Sequence, residues 1–529
     1  MTEVPTSFDG IALSVFASRL AAICDEMGAL LRRSAFSPNI KDRLDFSCAV
    51  FDAQGELCAQ AAHIPVHLGS MAFAMRGIIN QIDWQAGDMV VVNDPFLGGT
   101  HLPDVTVIAP VFINATAVDA TLCGFVVNRA HHANIGATAP GSMPISRSLD
   151  EEGIVIPPTH LLRRGELQQD VWQKLTGVDA AGSASEGDFT AQISANRSGV
   201  ARLQALVQSM QPSEFEGALA TLNAYGEQMA RRHFRAIANG CYRFADALDD
   251  DGVGTQNIAV VVAVDILDGA ITVDFTGTAL QVAGNLNCPL SVAAAAVLYV
   301  FRCLLPMELP VCAGLFRPIT LTAPLGCLVN AQRPAAVAAG NVETSMRIVD
   351  ALLGALYQAL PQQIPAASQG TMNNVAMGRS ATEGVSAGWD YYETIGGGGG
   401  AHAHGDGLNA AQAHMTNTLN TPVESLEQHY PLRVRRYAIR RHSGGSGHHC
   451  GGDGIVREYE FLAPTQVTLL GERRTSAPWG LAGGSAGQPG SNRLNDVVVP
   501  AKVSLQVKAG DRLVLETPGA GGYGAPAGR

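Results

Sequence analysis

The sequence predicts a mixed α+β (α/β) fold, large and multilayered, with two lobes and with both antiparallel and mixed sheets. Short runs of apolar and β-branched residues bounded by turn residues occur in both halves, as in FSCAVFD, VTVIAPVF and IAVVVAVDIL. They read as strands. Between them lie longer stretches with helical spacing. A chain of 529 residues that is 47% apolar buries more than one small core requires. The turn-rich LDDDGVG (Leu248 to Gly254) marks the break between an N-terminal lobe, 1–247, and a C-terminal lobe with glycine-rich loops, 248–529.

Taken in order, Ile11, Val15, Ile23, Met27 and Leu31 share a stripe that predicts a helix from Ile11 to about Arg33, packed on the first sheet. FSCAVFD and ELCAQ predict a hairpin closed by Asp52 to Gly55, with Asp45 at its open end. An acid entering an apolar strand needs a partner: Arg43, a cap or a metal. His63 and His67 have HxxxH spacing, but Pro65 between them opposes a helix, so solvent or core hydrogen bonding is expected of both. MVVV (Met89 to Val92) reads as a buried strand. Val105 to Phe112 and Ala117 to Val127 read as paired strands, with Ile113 to Thr116 as the turn. Asp150, Glu151 and Glu152 lead into the strand-like GIVIPP, and Asp170 to about Asn239 is mostly helical. Ile258 to Thr278 carries a central Asp-Gly and predicts a second hairpin. Ser291 to Leu305 is a buried helix, and Asn341 to Leu360 an amphipathic one with Asn341 as N-cap.

The densest chemistry lies between Asn93 and Gly136, which hold His101, Asp104, His131 and His132. A hairpin centred near Ala115 puts Asp104 opposite about residue 126 and His101 opposite about residue 129. Both then sit at the open end, where His131 emerges. Two imidazoles and a carboxylate form the mixed N/O set that zinc, manganese or iron accepts. Gly98 and Gly99 allow a sharp backbone turn beside His101. The alternative is a pair of hydrogen-bonded strand-end histidines. Glu152 is a candidate general base or a solvated acid.

In the C-terminal half, the glycines of IGGGGGAHAHGDG offer backbone N–H groups at Gly396, Gly397 and Gly398 for an anion, or serve structure alone. GxxxxGK[ST] occurs nowhere, so the sequence carries no P-loop for ATP. His402, His404, His414, His448, His449 and Cys450 match no established ligand spacing. GGSAG (Gly483 to Gly487) fits GxSxG, but its flanks lack the strand and helix of a nucleophile elbow. Ser485 therefore reads as a loop serine.

A net charge of -12 argues against a nucleic-acid partner or an anionic membrane surface. The apolar run Val292 to Leu305 is interrupted by Arg302 and too short to span a bilayer. Ten single cysteines without CxxC, and MTEVPTSFDG without signal-peptide character, predict a reducing cytoplasm.

SPNIKDRLDFSCAVFD, HIPVHLGSM, NDPFLGGTHLPD, NRAHHANIG, PGSMP, VDFTGT, GNVETSMRI, YYETIGGGGGA, HMTNTLNTPVE, PWGL and TPGAGGYG follow one another in order almost end to end. With these motifs the chain resembles the hydantoinase B/oxoprolinase family, the second subunit or second half of ATP-dependent cyclic-amide hydrolases, to which ketone carboxylase subunits are related. The resemblance implies a divalent metal, zinc foremost with manganese or iron as alternatives, held by Asp45, His101, Asp104 and His131. It implies Asp104 or Asp45 as the residue that holds or deprotonates the attacking water, with Glu152 as a further candidate. Gly396 to Gly398 would face the phosphate or oxyanion. It also implies a hetero-oligomer with a hydantoinase A-like ATPase subunit that binds ATP, and a small cyclic amide of hydantoin, 5-oxoproline or lactam type as substrate.

Asn134 stands where the family usually has Asp, and Cys450 where it usually has Arg. The segment between Asp104 and His131 is a few residues longer than expected. The alternatives are a subunit of an ATP-dependent ketone carboxylase, whose subunits tend to be longer, and a self-contained serine hydrolase using Ser485.

Overall fold

The computed structural model describes residues 9–61, 64–67, 69–114, 120–177, 183–379 and 388–526. His63, and the turn expected at Ile113 to Thr116 beyond Asn114, lie outside them. Four sheets are present among the described residues. The largest has seven strands, all antiparallel, in the order Leu57–Ala61, Phe46–Asp52, Thr121–His131, Asp104–Ile113, Met89–Val92, Thr159–Arg163 and Glu166–Leu167. One face packs on the helices Gly10–Ser34 and Ser183–Gln208. The other buries Phe51, Val90, Ile108 and Phe125 against the helix Ser70–Ile78. Burial on both faces is why the central strand Asp104–Ile113 reads as an unbroken apolar run and not as an alternating one.

A second sheet of Ile319–Thr322, Ala270–Asp274, Gln256–Leu267 and Gly240–Asp250 has one parallel pair and is covered by the helix Ser345–Tyr357, on which the helix Leu290–Cys303 packs in turn. Its Asp268-Gly269 turn has both residues at positive φ, 50° and 78°, as a two-residue hairpin of right-handed twist demands. The remaining two sheets, one of four strands and one of five, share a separate core that includes Val375, Tyr391, Tyr459 and Leu513. Fold class is therefore as expected: α+β, with antiparallel and mixed sheets.

Several local expectations need correction. The N-cap Asp9 starts the first helix by accepting from the Ala12 N–H, but Ile11 and Val15 are 78% and 55% exposed. The buried stripe is Leu13, Phe16, Leu20, Ile23, Cys24, Met27 and Leu31. The expected break at 247/248 falls inside the strand Gly240–Asp250, LDDDGVG closes a hairpin onto Gln256–Leu267, and one apolar core runs across it from Leu13 to Leu470. GIVIPP is extended loop, and the strand comes later, at Thr159–Arg163. Asn341 is no N-cap: Gly340–Thr344 forms a π-helical turn before the α-helix Ser345–Tyr357.

Candidate metal centre

The hairpin Asp104–Ile113 with Thr121–His131 sets Asp104 directly opposite His131, because its pairing centres further along the chain than Ala115 and is shifted again by a bulge at Val111/Phe112. The two side chains thus meet on one face at the open end. His101 arrives three residues earlier in a loop that turns at Gly98, whose φ of 99° suits glycine and whose missing Cβ leaves room for the backbone of Ala74. His101 Nε2 and His131 Nδ1 lie 3.3 and 3.2 Å from Asp104 Oδ1, and 3.3 Å from each other. All three residues are buried, and among the described residues they are the only such cluster of potential metal ligands.

Three ligand atoms at this mutual separation match a tetrahedral ion with bonds of about 2.0–2.1 Å, whose ligands stand about 3.3 Å apart. His101 Nδ1 lies 3.1 Å from the Ala338 carbonyl, which can only accept, so Nδ1 carries a hydrogen and Nε2 is the atom that faces the cluster. Burial lowers this imidazole, but the charge and hydrogen bond of Asp104 raise it on balance, so an ion would take the place of a hydrogen on Nε2. Burial pushes His131 below the usual imidazole range despite its hydrogen bond to Asp104, which favours the neutral ligand form. His131 Nε2 is buried without a hydrogen-bond partner, and its ring stacks on Tyr392 at 4.9 Å.

Asp104 divides its two oxygens. While Oδ1 faces the imidazoles, Oδ2 accepts from Thr100 Oγ1 at 2.5 Å and meets His67 Nε2 at 3.3 Å and Asn341 Nδ2 at 3.4 Å. Burial alone would raise this carboxyl. The neighbouring charges of His101 and His67, with hydrogen bonds from His101 and His131, instead hold it well below the usual carboxylate range. A cavity of about 20 Å³ adjoins the cluster and is also lined by Asp45, His67, Asn341, Tyr392, Thr394 and Thr418. That is room for one ion or water.

Asp45 borders this cavity outside the three-atom cluster. Its carboxylate faces Arg43 Nη2 at 3.6 Å, and its carbonyl accepts from the His131 N–H at 3.0 Å. Glu152 is not at the cavity: it is fully buried, and its oxygens accept from Ser146 Oγ and from the N–H groups of Val337 and Ala338. Burial raises its pKa to about 7 against those hydrogen bonds. Gly397 and Gly398 donate to the carbonyls of Ala411 and Pro518, so those two N–H groups are committed to the fold, while the Gly396 carbonyl accepts from Thr517 Oγ1. A Cβ on Gly398 would collide with the Gly452 carbonyl, which accounts for glycine there by backbone crossing alone.

His132 points away, to Gln192 Oε1 at 2.9 Å. Asn134 binds Asp390 Oδ2 at 3.0 Å and caps Gly136, and Cys450 is exposed on a glycine loop. Ser485 Oγ meets only Ser446 among its hydrogen-bond partners. His67, Thr100 and Asn341 join the site without a sequence pattern that singles them out. For His67 the HIPVH spacing is the available signal. Pro65, which argues against a regular helix, instead opens a short 3-10 turn, Pro65–His67, where a proline fits.

The profile of the family described as Hydantoinase B/oxoprolinase matches residues 9–526. The chain belongs to this family. It is 36% identical over 553 residues to 5-oxoprolinase 1 of Arabidopsis thaliana, aligning 98% of the chain with 42% of that protein. It is 32% identical to a putative D-/L-hydantoinase subunit from a Pseudomonas species, aligning 98% of the chain with 90% of that protein. It thus spans about two fifths of the 5-oxoprolinase and nearly all of the hydantoinase subunit. Among solved structures, an ATP-dependent caprolactamase from Pseudomonas jessenii superposes with a TM-score of 0.90 at 26% identity, covering 98% of this chain and 92% of that one. Acetone carboxylase shares the fold, with a TM-score of 0.86 at 18% identity and 76% of that chain covered. Among the described residues, no helix of this family member is long and apolar enough to cross a membrane.

Proposed function

We propose that this chain is the hydrolytic component of an ATP-dependent cyclic-amide hydrolase, acting on a hydantoin, 5-oxoproline or lactam ring with a hydantoinase A-like ATPase partner. The observation that carries the reading is the convergence of His101 Nε2, Asp104 Oδ1 and His131 Nδ1 within 4.8 Å at one buried point. These residues would hold a divalent ion, zinc by donor set, with Asp45 at the adjoining cavity as a fourth ligand or as the proton acceptor. When bound, the ion would supply Lewis acidity, polarising a water or the scissile carbon's oxygen at neutral pH.

An amide resists attack because its nitrogen lone pair is delocalised onto oxygen. Phosphorylation of that oxygen by the partner removes the resonance. Water then adds to the carbon, the ring C–N bond breaks with the nitrogen leaving as a protonated amine, and the acyl phosphate that remains is hydrolysed to the carboxylate and inorganic phosphate. This chain receives the activated ring and excludes bulk water from it. Asp104 is kept anionic and oriented by Thr100, His67 and Asn341, and Asp45 takes the proton released as water adds. Thr394 and Thr418, which line the cavity and whose hydroxyls bond each other at 2.7 Å, supply polar contacts that the Gly397 and Gly398 amides do not. The present cavity is too small for a ring, so the segments bearing Thr394 and Thr418 must separate from the hairpin end to admit one.

The higher identity and fuller coverage of the caprolactamase, 26% and 92% against 18% and 76% for acetone carboxylase, favour hydrolysis over the carboxylase alternative. The test is turnover by the chain co-expressed with an ATPase-type partner. ATP-dependent ring opening that is lost on chelation and restored by zinc is expected. Bicarbonate-dependent carboxylation of a ketone by the same pair would overturn it.

A further inference from the structure

Glu152 is buried in full and makes no salt bridge among the described residues. Its Oε1 accepts from Ser146 Oγ at 2.7 Å, from the Val337 N–H at 2.9 Å and from the Ala338 N–H at 3.0 Å, while Oε2 takes a longer contact from Val337 at 3.1 Å. Oε1 carries three of these contacts, and Glu152 does not line the cavity beside the cluster. The carboxylate thereby anchors two successive amides of one segment, which is further pinned where the Ala339 and Gly340 N–H groups donate to the Asn285 carbonyl, both at 3.0 Å. That segment delivers two contacts to the candidate centre: the Ala338 carbonyl to His101 Nδ1, and, from within the π-helical turn three residues on, Asn341 Nδ2 to Asp104 Oδ2.

We propose that Glu152 is a positioning residue that holds the Val337 to Asn341 segment so that Ala338 fixes His101 in its Nδ1–H tautomer, with Nε2 aimed at the metal. This rests on the metal reading above and replaces the general-base role considered for Glu152. A carbonyl displaced from Nδ1 lets the imidazole carry its hydrogen on Nε2 instead, where it blocks the ligand position. Partners of this kind behind a ligand histidine are worth about 10- to 100-fold in metal affinity.

The test compares wild type, Glu152→Gln and Ser146→Ala. Gln places an NH₂ against a backbone N–H, and the Ser146 variant removes one donor without touching charge. In the metal-free protein, ¹⁵N-histidine spectra assigned with His101→Ala report the His101 tautomer, and chelator competition reports zinc affinity. The expected result for Glu152→Gln is a mixed His101 tautomer and zinc affinity down by about 10- to 100-fold, with kcat at saturating zinc falling less than affinity does. Ser146→Ala should move both readouts the same way by a smaller amount, so the test survives if the Gln variant does not fold. An unchanged tautomer and unchanged zinc affinity with collapsed kcat would overturn the proposal and return Glu152 to proton transfer. Failure of wild type to bind zinc would refute the metal reading, and the metal-free tautomer would then decide the Glu152 linkage by itself.

Discussion

Asp104 illustrates how one carboxylate serves two tasks by giving each oxygen its own neighbours. Oδ1 is left for the imidazoles, and Oδ2 is tied down by Thr100, His67 and Asn341. Replacing Thr100 with Val keeps the shape and removes the 2.5 Å donor, so zinc affinity should fall by about 10-fold in a chelator competition while the fold persists. Glu343, on the π-turn, makes a different prediction. Burial and then the charge of Glu472 push its pKa from an ordinary 4.5 up to about 8, while Met372 N–H and Asn374 Nδ2 bond to it. The raised pKa means the folded state holds a proton that the unfolded state has released, so stability is fullest below 4.5 and is lost as pH rises toward about 8. Thermal unfolding should show Glu343→Gln gaining on wild type across that window. A pH-independent difference between the two would contradict this account of Glu343.

At the scale of elements, the hairpin that carries Asp104 and His131 was legible because its strands are β-branched, apolar and bounded by turn residues. Its register was not, since composition marks neither the centre of the pairing nor the one-residue bulge at Val111/Phe112. His101, Asp104 and His131 still meet at the open end, because that meeting depends on strand direction more than on register. The π-turn at Gly340–Thr344 was illegible for a similar reason: GNVETS has the pattern of an ordinary N-cap, and only packing against Asn285 and Asp104 selects the wider turn. Glycine-rich loops suggest ligand contacts, whereas the N–H groups of Gly397 and Gly398 pair with neighbouring backbone. Because the central strands are sealed on both faces, Phe125→Ala, beneath Trp84 at 5.1 Å, should cost about 3–5 kcal/mol in denaturant unfolding.

For the whole molecule, the central question is whether the buried centre and the missing P-loop reflect a division of labour with an ATPase partner. Calorimetry of the isolated chain should detect no micromolar ATP binding, whereas the co-expressed pair should elute as one complex, because an activated amide released to water would hydrolyse before use. Micromolar binding to the chain alone would remove the need for a partner. The most direct test of the central claim is metal analysis of wild type, His101→Ala and His131→Ala, read beside partner-dependent ring opening. The account predicts one divalent ion per wild-type chain, and loss of both the ion and turnover in each variant. If both variants keep a full equivalent of metal and wild-type turnover, the cluster of His101, Asp104 and His131 is not the catalytic metal centre.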